Sequence, residues 1–299
     1  MPPESELIPT EGLIIITGAT GSGKSAFAMQ LAEERGLAII SADSRQIYRG
    51  MEVGTDAPGP EERSRVPHYF VGCLNPSEDY SAFDFARDAL PVIDREIRNK
   101  GAALVVGGSA LYLRALLYEM DDIPPVPDEV RHRVLRLYEK EGLESVRTRL
   151  CEVDPQYLKK VDGNNYRRLL RALEVYEATG RPFSSFHTGT KRPFPYPVFT
   201  VYIERQRQDL YNRINRRVEQ MIQKGLVEEV RNLTPFRGSN ALRTIGYPEV
   251  FGYLYEGKDL QDTVALIQKN TRVFARHQIT SFRRFALDLI IKPLPDPSV

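Results

Sequence analysis

The chain has 299 residues, 41% of them hydrophobic and 27% charged, with 41 Lys/Arg against 40 Asp/Glu. That is the composition of an ordinary soluble protein of one large or two modest domains, and no apolar run is long enough to cross a membrane. The two cysteines, Cys73 and Cys151, exclude a disulfide framework and a cysteine-rich zinc site. They are expected as buried small hydrophobes. Residues 1–12 are polar and acidic, unlike a secretory signal, so a cytosolic protein is expected. The near-neutral total hides an asymmetry. Residues 1–130 carry 11 basic and 21 acidic side chains, residues 131–299 carry 30 and 19. A basic half joined to an acidic half points to a polyanionic partner; ordinary solvated helix faces are the plainer alternative.

In chain order, residues 13–16 (Leu-Ile-Ile-Ile) read as a buried strand. They lead into Gly18-Ala19-Thr20-Gly21-Ser22-Gly23-Lys24-Ser25, which matches the phosphate-binding P-loop. A helix pattern follows over 26–34, so the motif sits in the strand–loop–helix context that it needs. Residues 37–41 form a second short strand ending in Asp43-Ser44, and 49–67 read as a Gly- and Pro-rich loop. Residues 81–100 read as a helix that Ser81 can cap. A third strand over 102–106 ends in Gly107-Gly108, and a helix starts at Ser109. Strand–helix alternation of this kind predicts a parallel sheet flanked by helices. A Pro-rich break at 123–128, a helical block over 128–180 and a second break at 188–197 suggest an inserted helical subdomain. Residues 198–203 return as a strand, 207–284 are mostly helical, and 292–299 read as a frayed tail.

The predicted fold class is therefore α/β: a P-loop NTPase-like sheet over residues 1–120 and 198–299, interrupted by an all-helical subdomain over 121–197. In such sheets ligands bind at the carboxyl ends of the strands. The P-loop, Asp43-Ser44 and Gly107-Gly108-Ser109 all belong there.

The loop's glycines let backbone N–H groups curl around anionic oxygens, with Lys24 as a point charge and Ser25 as a Mg²⁺ contact. A nucleotide-hydrolysing P-loop protein usually adds an apolar strand ending in an acid that holds the metal. Here the 102–106 strand ends in glycines instead. Asp43 does end a strand, but Ser44, Gln46 and Tyr48 follow it, a polar cluster suited to an organic substrate. Asp43 has two functional roles open, outer ligand to Mg²⁺ or general base beside the phosphate site, against a plain turn or capping role. Arginines cluster three times: Arg167, Arg168 and Arg171; Arg205, Arg207, Arg213, Arg216 and Arg217; and Arg272, Arg276, Arg283 and Arg284. Three clusters exceed what one pyrophosphate needs and suit a nucleic-acid backbone. Surface ion pairing is the credible alternative for Arg207 and Arg216. The turn Arg243-Thr244-Ile245-Gly246-Tyr247-Pro248 offers a cation and an aromatic that could stack on an unpaired base; an ordinary turn has the same composition.

Taken together, these segments resemble the tRNA dimethylallyltransferases, also called tRNA isopentenyltransferases. The likeness runs over roughly residues 13–285. It includes the P-loop, the stretch from Asp43 to Met51, Gly54-Thr55, Val106 to Tyr112, Arg168 with Arg171 to Val175, Arg213-Ile214 with Arg217, Glu229-Val230, Ile245 to Tyr247 with Glu249, and Asn270 to Arg272 with Gln278 to Thr280. Ala19, Gly21, Ser25 and Ser109 stand where the family commonly has Pro, Ala, Thr and Thr, and Ser281 stands where it has Trp. No eukaryotic-type zinc-finger extension is expected, which suggests a member of the bacterial type.

The resemblance implies transfer of a dimethylallyl group from dimethylallyl diphosphate to N6 of adenosine 37 of tRNA. The P-loop (Gly18 to Ser25) would hold the donor's diphosphate, assisted by Thr20, Arg217 and Mg²⁺ at Ser25. Asp43 would be the base. RNA contacts would come from Asp43, Ser44, Arg45, Gln46, Ser109, Arg167, Arg168, Leu169, Leu170, Arg171, Arg243, Thr244, Ile245, Gly246, Tyr247, Pro248, Arg276, Gln278, Thr280 and Arg283. A monomer is expected, with no membrane partner. An adenylate isopentenyltransferase would not need residues 120–197. A small-molecule kinase and a non-catalytic tRNA-binding relative are also compatible with a P-loop chain, and the presence of Asp43, Lys24 and Arg217 speaks against the second of these.

Overall fold

Strand β1 (Gly12–Gly18) is buried along its whole length and sends alternate side chains to opposite faces of a sheet. Leu13 and Ile15 enter one hydrophobic layer, Ile14 and Ile16 the other. In this computed structural model, which describes residues 4–119, 123–187 and 189–293, the chain divides into two units. Residues up to Leu117 and from Pro193 onward make the first; Tyr118–Arg192 make the second.

The first unit is built on β1, β2 (Ile39–Ser41), β3 (His68–Tyr69), β4 (Ala102–Gly107), β5 (Val198–Ile203) and β6 (Leu289–Ile291), in the order β3-β2-β4-β1-β5-β6. Every pairing is parallel, with Ile15 of β1 opposite Val105 of β4 and Thr200 of β5. Helices on both faces bury the central strands completely, which is why they read as unbroken apolar runs. The P-loop NTPase-like sheet is the predicted one, lengthened at both edges. β3 and β6 have only two and three residues, too short to show a period in the sequence.

Helix α1 (Lys24–Arg35) packs Ala28, Leu31 and Ala32 on the face of Ile14 and Ile16. The expected 49–67 loop contains two short helices, α2 (Glu52–Thr55) and α3 (Pro60–Arg65). Their four and six residues are too few for an amphipathic pattern to appear. Helix α4 (Ala82–Lys100) begins at the predicted cap: Ser81 Oγ accepts from Asp84 N at 3.2 Å, while the Asp84 carboxylate accepts from Ser81 N at 3.0 Å. Together with α5 (Ala110–Leu117) it covers the face of Leu13 and Ile15.

The second unit holds α6 (Asp128–Val153), broken at Gly142, then α7 (Pro155–Leu158) and α8 (Tyr166–Thr179). Its own core includes Val146, Leu150, Leu169, Ala172 and Leu173. Asp154 is buried there but well paired, accepting from Tyr157 N, Ser184 N and Ser184 Oγ at 3.0, 2.7 and 2.6 Å.

Beyond β5, the first unit continues as α9 (Arg207–Gln223), α10 (Leu226–Asn232), α11 (Tyr247–Tyr255) and α12 (Leu260–Phe282). They gather a separate core around Ile47, Tyr48 and Met51, and so fasten the segment after Asp43. Both cysteines are exposed, against expectation. Cys151 lies on α6 next to the inward-facing Leu150, and Cys73 lies in a loop whose inward contacts are backbone bonds to Ile47 O. Of the expected frayed tail, residues 294–299 lie outside the described residues; Lys292 pairs with Glu204 at 3.2 Å. No helix among the described residues is long and apolar enough to cross a membrane.

Candidate active site

The P-loop leaves the buried end of β1 and turns through Gly21 (φ 80°) and Gly23 (φ 95°), left-handed conformations that a side chain would strain. The N-terminal turn of α1 then presents N–H groups without intrahelical partners, starting at Lys24. Three arginines grip this loop from the following segments. Arg205 Nε donates to Ser22 O at 2.8 Å and Arg213 Nε to Gly21 O at 3.0 Å. Arg217 Nη1 donates to Thr20 Oγ1 at 2.8 Å. Arg213 and Arg217 lie one turn apart on α9, which is why they reach the same loop. Arg205 is itself held by Asp209 at 2.6 Å, both side chains nearly buried.

A second brace comes from α12. Gln278 is buried; its Oε1 accepts from Thr20 N and its Nε2 donates to Gly108 O, both at 2.8 Å. One amide thus ties the P-loop to the glycines after β4.

Asp43 follows β2 at the same carboxyl edge. Its Oδ1 accepts from Arg45 N at 2.9 Å and Gln46 N at 3.3 Å, a turn that orients the carboxylate. Its Oδ2 accepts no hydrogen bond among the described residues. Lys24 reports the surroundings. Loss of hydration on burial pushes its ammonium down to about 8, the Arg217 charge pushes the same way, and the carboxylates of Asp43 and Asp56 oppose both. Among these charges Asp43 acts on Lys24 most strongly, so its carboxylate lies within electrostatic reach of the P-loop lysine.

Arg217 has further anchors. Its Nη2 donates to Thr55 O at 3.2 Å and its Nε lies 3.4 Å from Asp56 Oδ2. Gln46 is used internally as well: Nε2 donates to Thr55 O and Asp56 O at 3.3 and 3.0 Å, and Oε1 accepts from Ser41 Oγ at 3.2 Å. Arg45 reaches Asn240 O at 2.8 Å. Ser109 starts α5, its N–H bonded to Ala42 O at 3.3 Å and its hydroxyl accepting from Tyr112 N at 3.4 Å. The hydroxyls of Ser44 and Ser25 make no hydrogen bond among the described residues, and Ser25 is exposed beside Lys24.

The expected RNA contacts divide by exposure. Arg167, Arg168, Arg243, Pro248, Arg276, Thr280 and Arg283 are exposed, and Arg171 is half-buried beside Glu174. Leu169 and Leu170 belong to the core of the second unit, and Thr244 Oγ1 bonds Ala241 O at 2.6 Å. Ile245 packs on the C-terminal core, and Gly246 gives its N–H to Glu249 at 2.7 Å. The stacking expected of Tyr247 is corrected: the ring is fully buried, and its hydroxyl bonds Glu229 Oε1 at 2.8 Å. Its amphipathic character serves the inside of the fold. Sequence reasoning also missed Arg205 and Arg213 as loop anchors and Asp56 altogether, and it placed Glu229 in the family resemblance without a role. The i, i+4 spacing on α9 signalled a shared face but not what that face touches.

A P-loop sheet with glycines in place of a strand-end acid on β4, and with a carboxylate after β2, departs from the nucleotide-hydrolysing arrangement. The family model for IPP transferase matches residues 46–285, starting just after the P-loop and Asp43. The chain belongs to this family of prenyltransferases. It is 42% identical over 272 residues to a tRNA dimethylallyltransferase of Phocaeicola vulgatus, covering 91% of each chain. Among solved structures it is similar to the tRNA isopentenylpyrophosphate transferase of Bacillus halodurans, with TM-score 0.67 and 32% identity over 94% of this chain and 90% of that one. A eukaryotic dimethylallyltransferase acting on tRNA superposes with TM-score 0.77 at 25% identity, over 91% of this chain and 70% of that one.

Proposed function

We propose that the chain transfers the dimethylallyl group of dimethylallyl diphosphate to N6 of adenosine 37 in tRNA, releasing diphosphate. The observation that carries this reading is that Asp43 follows β2, and the P-loop with Lys24 follows β1, at the same carboxyl edge of one parallel sheet. A carboxylate with one unused oxygen beside a phosphate cradle is what an amine nucleophile needs to give up its proton.

In this reaction the adenine N6 nitrogen attacks the allylic carbon. The carbon–oxygen bond breaks, its electrons leave on the diphosphate oxygen, and the N6 proton passes to Asp43 Oδ2. The Oδ1 turn keeps the other oxygen aimed. Lys24, the P-loop N–H groups, and Arg217 with Thr20 carry the charge that builds on the leaving group. The target base must leave the stack of the anticodon loop to reach Asp43, a cost that is low in a loop. Exposed arginines in both units provide phosphate contacts for the RNA.

Magnesium fits the residues present. The exposed Ser25 hydroxyl is an oxygen donor with no competing bond, and no cluster of three or more acidic, histidine or cysteine side chains among the described residues forms a protein-only cage. Mg²⁺ commonly binds in this way, through substrate phosphates and few protein ligands. When bound at Ser25 it supplies further charge neutralisation on the diphosphate. The reading takes the protein as a cytoplasmic monomer.

The test is to incubate the protein with radiolabelled dimethylallyl diphosphate and unmodified tRNA, AMP or ATP. Label in tRNA alone is the expected result. Label in AMP, or ATP turnover without prenyl transfer, overturns the reading.

A further inference from the structure

Glu229 lies on α10, outside the P-loop and away from Asp43, yet it is among the most heavily bonded carboxylates of the first unit. Its Oε2 accepts from Val53 N at 2.7 Å and its Oε1 from Gly54 N at 2.8 Å. The same Oε1 accepts from the buried Tyr247 hydroxyl at 2.8 Å, and that hydroxyl also lies 3.1 Å from Met51 O. All three backbone groups belong to the start of α2 or the residue before it. Burial raises the Glu229 carboxyl, while the three hydrogen bonds favour its ionised form.

The opposite end of α2 points into the site. Thr55 O accepts from Arg217 Nη2 and from Gln46 Nε2, and Asp56 pairs with Arg217 Nε. Asp56 takes a left-handed conformation (φ 52°), which a non-glycine residue adopts only when its surroundings hold it. One helical turn therefore connects the Glu229 carboxylate to the guanidinium on the P-loop. The contact is closely built. A Cβ on Gly54 would fall 2.5 Å from Tyr247 Oη and 2.7 Å from its Cζ, so α2 could not seat against this pair with any larger residue there.

We propose that Glu229, locked by Tyr247, is a positioning residue for Arg217, acting through α2. The α2 turn has only four residues and no side-chain cap of its own, so it cannot hold its far end alone. With the carboxylate in place, Thr55 O and Asp56 fix the guanidinium toward Thr20. Without it, Val53 N and Gly54 N lose their acceptors, α2 shifts, and Arg217 keeps its charge but loses its aim. The inference rests on the reading that Arg217 serves the diphosphate.

The experiment is a double-mutant cycle on binding of inorganic diphosphate, joined to kcat and KM for tRNA. Glu229→Gln keeps the shape but replaces one acceptor by an amide N–H. It should weaken diphosphate about tenfold and lower kcat by a similar factor, with KM for tRNA unchanged; coupled pairs commonly show effects of this size. In the Arg217→Gln background the same change should cost less than about twofold. Tyr247→Phe, which leaves the carboxylate but removes its lock, should give the same pattern with a smaller amplitude, and it stands in if Glu229→Gln does not fold. Additive losses in the two backgrounds would overturn the proposal, as would a rise in KM for tRNA with diphosphate affinity intact. If Arg217→Gln alone leaves diphosphate affinity unchanged, the assignment of the site falls instead.

Discussion

Arg217 and Thr20 meet across 2.8 Å, side chain to side chain, although 197 residues separate them in the sequence. Thr20 also receives Gln278 on its backbone N–H, so this one loop residue is held from both α9 and α12. Arg217→Lys keeps a positive charge but cannot serve Thr20, Thr55 and Asp56 together. Steady-state kinetics should show kcat/KM for dimethylallyl diphosphate falling by about 10²–10³, the range for removal of one donor to a developing anion. An unchanged value would remove Arg217 from the reaction.

Asp43 has a turn to hold and a proton to take, and Asp43→Asn separates the two. The amide oxygen can still accept from Arg45 N and Gln46 N, while basicity disappears. Single-turnover rates should fall by about 10²–10⁴, with tRNA affinity within a few-fold. A large drop in affinity at an unchanged rate would make Asp43 a binding residue.

The lowered Lys24 value gives a pH dependence. In the free protein the ammonium loses its proton as pH rises through about 8, so diphosphate binding should weaken there by up to roughly tenfold per pH unit. Calorimetric titration with inorganic diphosphate from neutral pH to well above that value checks this, and Lys24→Arg, which stays charged, should flatten the profile. The stability effect has the opposite sign. An unfolded lysine holds its proton up to its ordinary pKa, so the folded state gains stability relative to the unfolded one as pH rises from about 8 toward 10.5.

The exposed arginines of α12 and the turn after it make a separate prediction. Arg276→Ala with Arg283→Ala should weaken tRNA binding and make log K fall less steeply with log salt, by about 0.7–0.9 for each phosphate that these side chains neutralise. Diphosphate affinity should stay within a factor of about two, since neither side chain belongs to the cradle. An unchanged salt slope would mean that neither arginine meets the RNA backbone.

The sheet could be read from the sequence because β1 and β4 are buried along their whole length and appear as apolar runs, with β5 buried over its last four residues. The P-loop was legible because its glycine spacing is dictated by backbone geometry. What stayed hidden is contact between distant segments. Arg205, Arg213 and Arg217 looked like a patch for a polyanion, but they face the protein's own carbonyls and a threonine hydroxyl. Tyr247 looked like a stacking platform because a tyrosine in a Gly/Pro turn has the same letters whether it points in or out. Gln278 and Glu229 stood out only through the family resemblance, which did not show their partners; only the approach of α12 and α10 gives their polar atoms partners.

The arginines on the outer carbonyls also bear on turnover. Arg205 pulls electron density toward Ser22 O, and the peptide bond passes that pull to the N–H of Gly23 on the other side. Part of the cradle's positive potential therefore arrives through the backbone, from a charge already neutralised by Asp209. Such a cradle adds to what Lys24 and Arg217 offer a growing anion without adding a further bare cation. In the proposed reaction that restraint would ease release of the diphosphate after each transfer.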